Sequence, residues 1–175
     1  MLRKARPGDL ASLRLGFVGA EKCPDSVYAA FAEAAPGGVL CEGYGVTECS
    51  PVISVNRPDS VLPGTIGQPL PSVRVAVVSA EGEPRRVAPG ETGMLLVSGP
   101  NVFGGYLGVD ADKQPFVAFE GMEWYRTGDL VSEAADGCLT FRGRLKRFVK
   151  VGGEMISLPQ IESVLAAAFG EGRSE

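Results

Sequence analysis

Twenty-four glycines and thirteen prolines punctuate this 175-residue chain, more than a fifth of its positions, and they follow no collagen-like period. Glycine opens the left-handed backbone region and proline fixes φ, so residues used this densely cut a chain into short elements joined by tight turns. Between the breaks, 45% of all residues are hydrophobic, enough for a folded core rather than a disordered segment. The length suits one domain, or two small pieces of something larger.

The order of the pieces carries the first fold signal. Leu13–Val18 reads as a strand ending at Gly19-Ala20. After Pro24, the residues Val27, Ala30, Phe31 and Ala34 recur at helical spacing until Pro36-Gly37-Gly38 stops them. Val39–Cys41 is a short apolar strand entering EGYG, read as a turn. Strand, helix, strand opens an α/β sheet, which places ligands at the carboxyl ends of its strands. From Gly64 to Gly143 the runs VRVAVV (73–78), GMLLVSG (93–99) and CLTFRG (138–143) alternate with Gly, Pro and Asp clusters, the pattern of an antiparallel β region. Beyond it lie Arg144, Lys146, Arg147 and Lys150, then GGEMIS, then a helix with Ile161, Leu165 and Ala168 as its apolar stripe and Ser157 with Gln160 as a capping box.

Composition excludes several function classes. Seventeen Lys and Arg against 21 Asp and Glu leave a net charge of -4, so nucleic acid is not expected as a partner. No histidine is present, which removes the Ser-His-Asp triad and the H-E-x-x-H metal site. The four cysteines form no C-x-x-C pair, so neither a zinc site nor a disulfide framework is expected. No run reaches the ~20 apolar residues of a membrane span, and MLRKARPGD lacks a signal-peptide core, so a cytoplasmic location is the expectation.

Three segments carry candidate chemistry. In CEGYGVTECSP, two glycines bracket Tyr44 and are followed by Thr47 and Glu48. Glycines allow close backbone approach to a ligand, an aromatic ring can stack on a base, a hydroxyl can bond phosphate, and a carboxylate can hold Mg²⁺. A plain polar loop has the same composition. In WYRTGDL, Asp129 can accept the two hydroxyls of a ribose or can bond its own backbone in a turn. In GRLKRFVKVGGEMISLPQIE, Arg144 can reach a phosphate or ribose and Gly152-Gly153 can form a tight hairpin near a ligand, although a solvated strand and turn reads the same way.

Taken in order, LRLGFVGAEK, EGYGVTE, GTIGQPLPSVRVAVV, GETGMLLVSGPNVFGGYLG, EWYRTGDL and GRLKRFVKVGGEMISLPQIE resemble the acyl-adenylate-forming superfamily of fatty acyl-CoA and acyl-carrier-protein synthetases, luciferases and peptide-synthetase adenylation domains. Within it, GAEK, EGYGVTEC and KRFVKVGGEMISL look most like the synthetase part of the bacterial bifunctional enzyme that re-acylates 2-acylglycerophosphoethanolamine.

The resemblance implies a mixed α+β fold, the carboxyl-terminal part of the adenylate-forming architecture. Residues 1–60 would end the α/β AMP-binding subdomain, 61–143 would form a β-barrel-like subdomain, and 144–175 would begin the carboxyl-terminal lid. It implies ATP/AMP and Mg²⁺ as cofactors, with a fatty acid and an acyl-carrier protein or CoA as partners. Peripheral association of the parent enzyme with the inner face of the membrane goes with them. Gly19, Ala20, Glu42, Gly43, Tyr44 and Gly45 would lie at the adenine, with Glu21 where the family often has proline. Thr47 would meet the α-phosphate, Glu48 the Mg²⁺, and Asp129 with Arg144 the ribose hydroxyls. Lys146 would be the hinge, with Lys150, Gly152 and Gly153 in the segment that swings in for thioester formation; Thr47, Glu48 and Lys150 are the expected catalytic residues. The family's phosphate loop has no counterpart in the sequence and its adenylation lysine would follow Glu175, so little turnover is expected of this piece alone. Two other readings stand beside the ligase: a binding module for a carrier protein or lipid that keeps the fold without chemistry, and an amino-acid adenylation domain.

Overall fold

The computed structural model describes residues 6–151, 154–158, 161, 162, 164 and 165. A first sheet has the order β1-β2-β3-β4, from Leu15–Val18, Val39–Gly45, Val52–Val55 and Gln68–Pro69. β1 and β2 run parallel and are joined by helix α1 (Asp25–Ala34), whereas β3 and β4 add antiparallel. The helix starts after Pro24, in extended conformation, with Asp25 in its first turn where the helix dipole favours a carboxylate. Its buried face carries Phe31, which with Cys23, Ala35 and Leu40 makes a small core under the parallel pair. Gly16 and Gly38 make room for the Phe31 ring, since a Cβ at either would sit 2.9–3.1 Å from it. Leu15 and Phe17 point outward from β1 and are exposed, at 38% and 65%.

The second sheet is antiparallel, built from β5 (Arg74–Val78), β6 (Thr92–Ser98), β7 (Phe116–Phe119), β8 (Met122–Glu133) and β9 (Leu139–Arg144). Twelve-residue β8 is its spine: β6 pairs along one edge, and β7 then β9 pair in succession along the other. β6 is buried on both faces. Leu95 and Val97 face Ile53, Ile66 and Cys49 of the first sheet's region, while Met94 and Leu96 face Ala76, Val78 and Trp124. Period-two alternation thus assigns one face of the second sheet to the seam between the sheets and the other to a separate core. Main-chain bonds cross the seam as well, since the Ile66 N–H donates to the Leu139 carbonyl and the Leu139 N–H to the Gly67 carbonyl.

After β9 the chain makes a short 3-10 turn, Leu145–Arg147, and the hairpin β10 (Phe148–Val151) and β11 (Glu154–Ser157). Leu145 and Phe148 pack onto the Met94–Trp124 side of the second sheet, and the Phe148 ring lies over Gly143, whose φ of 135° and lack of Cβ admit it. Leu158, Ile161, Glu162, Val164 and Leu165 are helical, and Arg147 is ion-paired with Glu162 at 2.7 Å. The capping partner Gln160, Pro159 and Ala168 lie outside the described residues.

Two segments read as turns are strand. EGYG continues β2, with Gly43 opposite Val55 and Tyr44 opposite Ser54. The glycines serve strand contact here: a Cβ on Gly45 would lie 1.9 Å from the Pro51 carbonyl oxygen. Asp129 likewise sits within β8, opposite Arg144 of β9, and Gly128 with φ 76° adjusts the strand just before it.

All four cysteines are buried free thiols. Burial holds the thiols of Cys23 and Cys41 above their ordinary pKa and pushes that of Cys49 up to about 11.

Asn56, 2% exposed, organises the loop that precedes β4. Its Nδ2 donates to the carbonyls of Glu42 (3.1 Å) and Thr65 (2.8 Å), and its Oδ1 accepts from the Leu62 N–H (2.9 Å) and the Thr65 hydroxyl (3.2 Å). Asn56→Ala leaves these groups without their partner in a buried place and is expected to destabilise by about 2–4 kcal/mol. A urea titration checks this, the midpoint falling with little change of slope.

Candidate nucleotide and metal site

The segments singled out by sequence meet where β2 crosses to β8 and β9. Tyr44 lies near the end of β2, and its hydroxyl donates to Asp129 Oδ2 at 2.5 Å, although the two are 85 residues apart. Arg144 Nε donates to Asp129 Oδ1 at 2.9 Å. Asp129 is 2% exposed, so its carboxylate depends on these two donors, whereas the Arg144 side chain is 61% exposed and faces solvent. The Asp129 N–H is turned onto Thr127 Oγ1, which itself donates to the Leu95 carbonyl. The pair follows from strand register, because Asp129 and Arg144 are Cα partners across β8 and β9. Hydrogen bonding to Asp129 raises the Arg144 pKa, and burial, then the Asp129 charge, raises that of Tyr44. The Tyr44 ring also lies 5.9 Å from Phe141, a half-exposed ring on β9 that sequence reasoning did not single out.

Directly after β2, Thr47–Cys49 forms a 3-10 turn closed by Ser50 in the left-handed region at φ 59°. Thr47 is exposed and Glu48 half-buried, both oxygen-bearing side chains held by a turn whose Cys49 is anchored in the core. The Glu48 carboxylate accepts from the Tyr106 hydroxyl at 2.5 Å. That bond, aided by the positive charge of Arg144, holds Glu48 below its ordinary pKa, so the group is ionised at neutral pH. Tyr106 stands in the quoted run NVFGGYLG without a role; its only sequence signal is an aromatic residue after paired glycines. An open groove lined by Ser98, Val102, Phe103, Phe116 and Tyr125 borders this corner.

The other expected residues take varied places. Glu42 is 3% exposed and sits beneath the site: its carboxylate accepts from the Cys23 N–H (3.0 Å) and the Tyr28 hydroxyl (3.2 Å), and its carbonyl from Asn56. It ties the start of α1 to β2. Gly19 abuts Gly43, where a Cβ would come 2.8 Å from the Gly43 oxygen, and Ala20 has a positive φ of 72°, a strained setting for a non-glycine residue at a strand's carboxyl end. Lys146 is exposed on the 3-10 turn that follows Arg144. The backbone of Lys150 pairs with Met155 in the hairpin; Gly152 and Gly153 lie outside the described residues.

A family model described as AMP-binding enzyme matches residues 1–107, the stretch holding β1, α1, the Tyr44–Glu48 segment and Tyr106. The chain belongs to the AMP-binding enzyme family. Proteins similar to it include novobiocin biosynthesis protein H of Streptomyces niveus, 39% identical over 91% of this chain and 27% of that protein. Delta-poly-L-ornithine synthetase of Acinetobacter baumannii is 36% identical over 95% of this chain and 13% of its own length. A long-chain-fatty-acid–CoA ligase of Salmonella typhimurium is 38% identical over 77% of this chain and 23% of its own. The chain thus spans about a quarter or less of the length of these relatives. Among solved structures, O-succinylbenzoate coenzyme A synthetase of Bacillus subtilis in complex with ATP and magnesium ion superposes with a TM-score of 0.76 at 27% identity, covering 95% of this chain and 34% of that one. The mixed sheet, antiparallel sheet and hairpin are therefore part of the acyl-adenylate-forming architecture in this AMP-binding family member.

The donor set fits Mg²⁺. Glu48 and Thr47 offer hard oxygens, and among the described residues no group of three or more His, Cys, Asp or Glu could hold a metal by itself. Mg²⁺ ordinarily takes one or two carboxylates and completes its shell with water and other oxygens, so a single carboxylate with a hydroxyl beside it suits it.

Proposed function

We propose that this chain is part of an ATP-dependent acid–thiol ligase that activates a fatty acid as acyl-AMP and passes the acyl group to the phosphopantetheine thiol of an acyl-carrier protein or CoA. Such a thioester is a form in which a fatty acid can be returned to a phospholipid, the use proposed for the parent enzyme. The observation that carries the reading is the convergence of Tyr44, Asp129 and Arg144 into one hydrogen-bonded chain beside the Thr47–Glu48 turn. A solvent-facing guanidinium anchored on a buried carboxylate beside an aromatic ring suits a nucleoside, whose base has a stacking face and whose ribose hydroxyls can accept as well as donate.

In this reading the Tyr44 ring borders the adenine and the Asp129–Arg144 pair holds the ribose. That leaves the α-phosphate at Thr47. A carboxylate oxygen of the fatty acid attacks the α-phosphorus, the bond to the bridging oxygen breaks, and pyrophosphate leaves. Glu48 would hold Mg²⁺, which when bound supplies positive charge against the charge gathering on the phosphate oxygens. In the second step a thiolate attacks the acyl carbonyl and AMP leaves. Lys146 would be the hinge between the two steps, and Lys150 would move with the hairpin.

Amino-acid activation is the second reading, favoured by the likeness to Delta-poly-L-ornithine synthetase over 95% of this chain. ATP–pyrophosphate exchange in the full-length enzyme, driven in turn by fatty, aryl and amino acids, separates the two. Fatty-acid-dependent exchange is the expected result. Exchange with amino acids alone would replace the first reading by the second, and no exchange with any acid would leave the binding-module reading.

A further inference from the structure

The segment from Gly99 to Val109 is fastened to the Thr47–Cys49 turn at several points. Asn101 Nδ2 donates to the carbonyls of Cys49 (2.8 Å) and Val52 (3.1 Å), and the Phe103 N–H donates to the Glu48 carbonyl (2.8 Å). Tyr106 is itself held on both sides of its main chain: its N–H donates to Gln114 Oε1 (2.8 Å), and Gln114 Nε2 donates to its carbonyl (2.9 Å). The same amide nitrogen reaches the Val109 carbonyl, closing the loop on Gln114. The Tyr106 ring meets Phe103 edge-on with centroids 4.8 Å apart. All of this delivers one phenol hydroxyl to one carboxylate oxygen of Glu48. Tyr106 is 44% exposed, and a half-exposed polar pair adds little to fold stability, so so many constraints on it point to a task at the carboxylate.

We propose that Tyr106 is a positioning residue for Glu48, fixing one oxygen of the carboxylate so that the side chain presents its remaining lone pairs to the divalent cation. The proposal rests on the reading of Glu48 as the cation's carboxylate. A glutamate on a 3-10 turn has three side-chain torsions to immobilise when it takes up a metal, and a carboxylate has room for about four acceptor contacts. A donor already seated on one oxygen restricts the torsions and still leaves room for the cation.

Tyr106→Phe in the full-length enzyme removes the hydroxyl and keeps the ring against Phe103. The Mg²⁺ concentration for half-maximal ATP–pyrophosphate exchange is expected to rise about 3- to 10-fold, with the loss in rate larger at limiting than at saturating Mg²⁺. Mn²⁺ binding, followed by electron paramagnetic resonance with a non-hydrolysable ATP analogue present, should weaken by the same factor. Adding Tyr106→Phe to Glu48→Gln should weaken it no further. A rate loss equal at all Mg²⁺ concentrations with Mn²⁺ affinity unchanged would reduce Tyr106 to packing and overturn the proposal, as would no change in either. If Glu48→Gln weakens Mn²⁺ binding and Tyr106→Phe does not, only the role of Tyr106 is lost. If Glu48→Gln itself leaves Mn²⁺ binding intact, the reading of Glu48 falls and takes the proposal with it.

Discussion

Glu48→Gln in the full-length enzyme is expected to slow acid-dependent ATP–pyrophosphate exchange by roughly 10²- to 10³-fold at limiting Mg²⁺, with partial recovery as Mg²⁺ is raised. The amide keeps the shape of the side chain and can still accept from the Tyr106 hydroxyl, so the turn and the loop above it should stay in place. What disappears is the charge. Glu48 is the half-buried carboxylate at this corner, and it sits in the field of Arg144 without being paired to it, so removing it leaves the positive charge of Arg144 near the place proposed for the cation. Glu48→Asp provides the graded control. It keeps the charge, withdraws it by a methylene from Tyr106, and should fall between the two. Exchange rates measured over a range of Mg²⁺ decide the matter: a Gln variant with the parent rate at limiting Mg²⁺ would take Glu48 out of the site.

The second large effect is on the fold. Gly67 has φ 73° and lies against β3 so closely that a Cβ would fall 2.0 Å from the Val55 carbonyl carbon and 2.2 Å from the Asn56 nitrogen. These are backbone atoms, with no flexible side chain to yield. Gly67→Ala combines a left-handed backbone cost with overpacking, together about 4 kcal/mol, or a fall in Tm of roughly 8–16 °C for a chain of this size. Gly64→Ala is the comparison: its φ of 82° is just as positive, but nothing lies within 4 Å of the new Cβ, so about 1–2 kcal/mol is expected. Thermal unfolding of the two variants beside the parent separates strain from collision. Equal losses would mean that the chain at 67 can move aside. Because the Gly67 carbonyl takes the Leu139 N–H across the seam, the damage should also reach the site. Tyr44 and Glu48 belong to one side of that seam, Asp129 and Arg144 to the other.

Strands and helix were legible where hydrophobic periodicity runs uninterrupted, as in VRVAVV, GMLLVSG and the Val27–Phe31–Ala34 stripe. The reading failed where glycine has two meanings. Gly43, Gly45 and Gly128 looked like turn residues, but each lies in a strand, Gly45 because the neighbouring chain passes too close for a Cβ, Gly43 where a Cβ would press on Ser54 and Val55 at 3.1–3.3 Å, and Gly128 because the strand takes a positive φ there. Local composition does not distinguish a glycine that bends a chain from one that admits a neighbour. Among the candidate residues, Tyr44, Glu48, Asp129 and Arg144 were named through the family resemblance of the segments taken in order, since each segment alone reads equally as a polar loop, a turn or a solvated strand. Glu42 could not be sorted from them, since whether a carboxylate turns toward Tyr28 or toward solvent depends on where α1 docks. Tyr106 gave no sign of its partner, which is 58 residues earlier in the chain.

The buried thiols have a practical use. Cys41 and Cys49 are 0% exposed, Cys23 3% and Cys138 6%, so no native sulfur in this part of the molecule is open to a maleimide. A cysteine placed on an exposed turn, at Lys113 for instance, would be the one in this stretch to take a fluorophore or spin label, with no need to strip the native residues first. Paired with a second label beyond Arg147, such a probe would report the distance between the antiparallel sheet and the hairpin region with the four native cysteines of this stretch left in place.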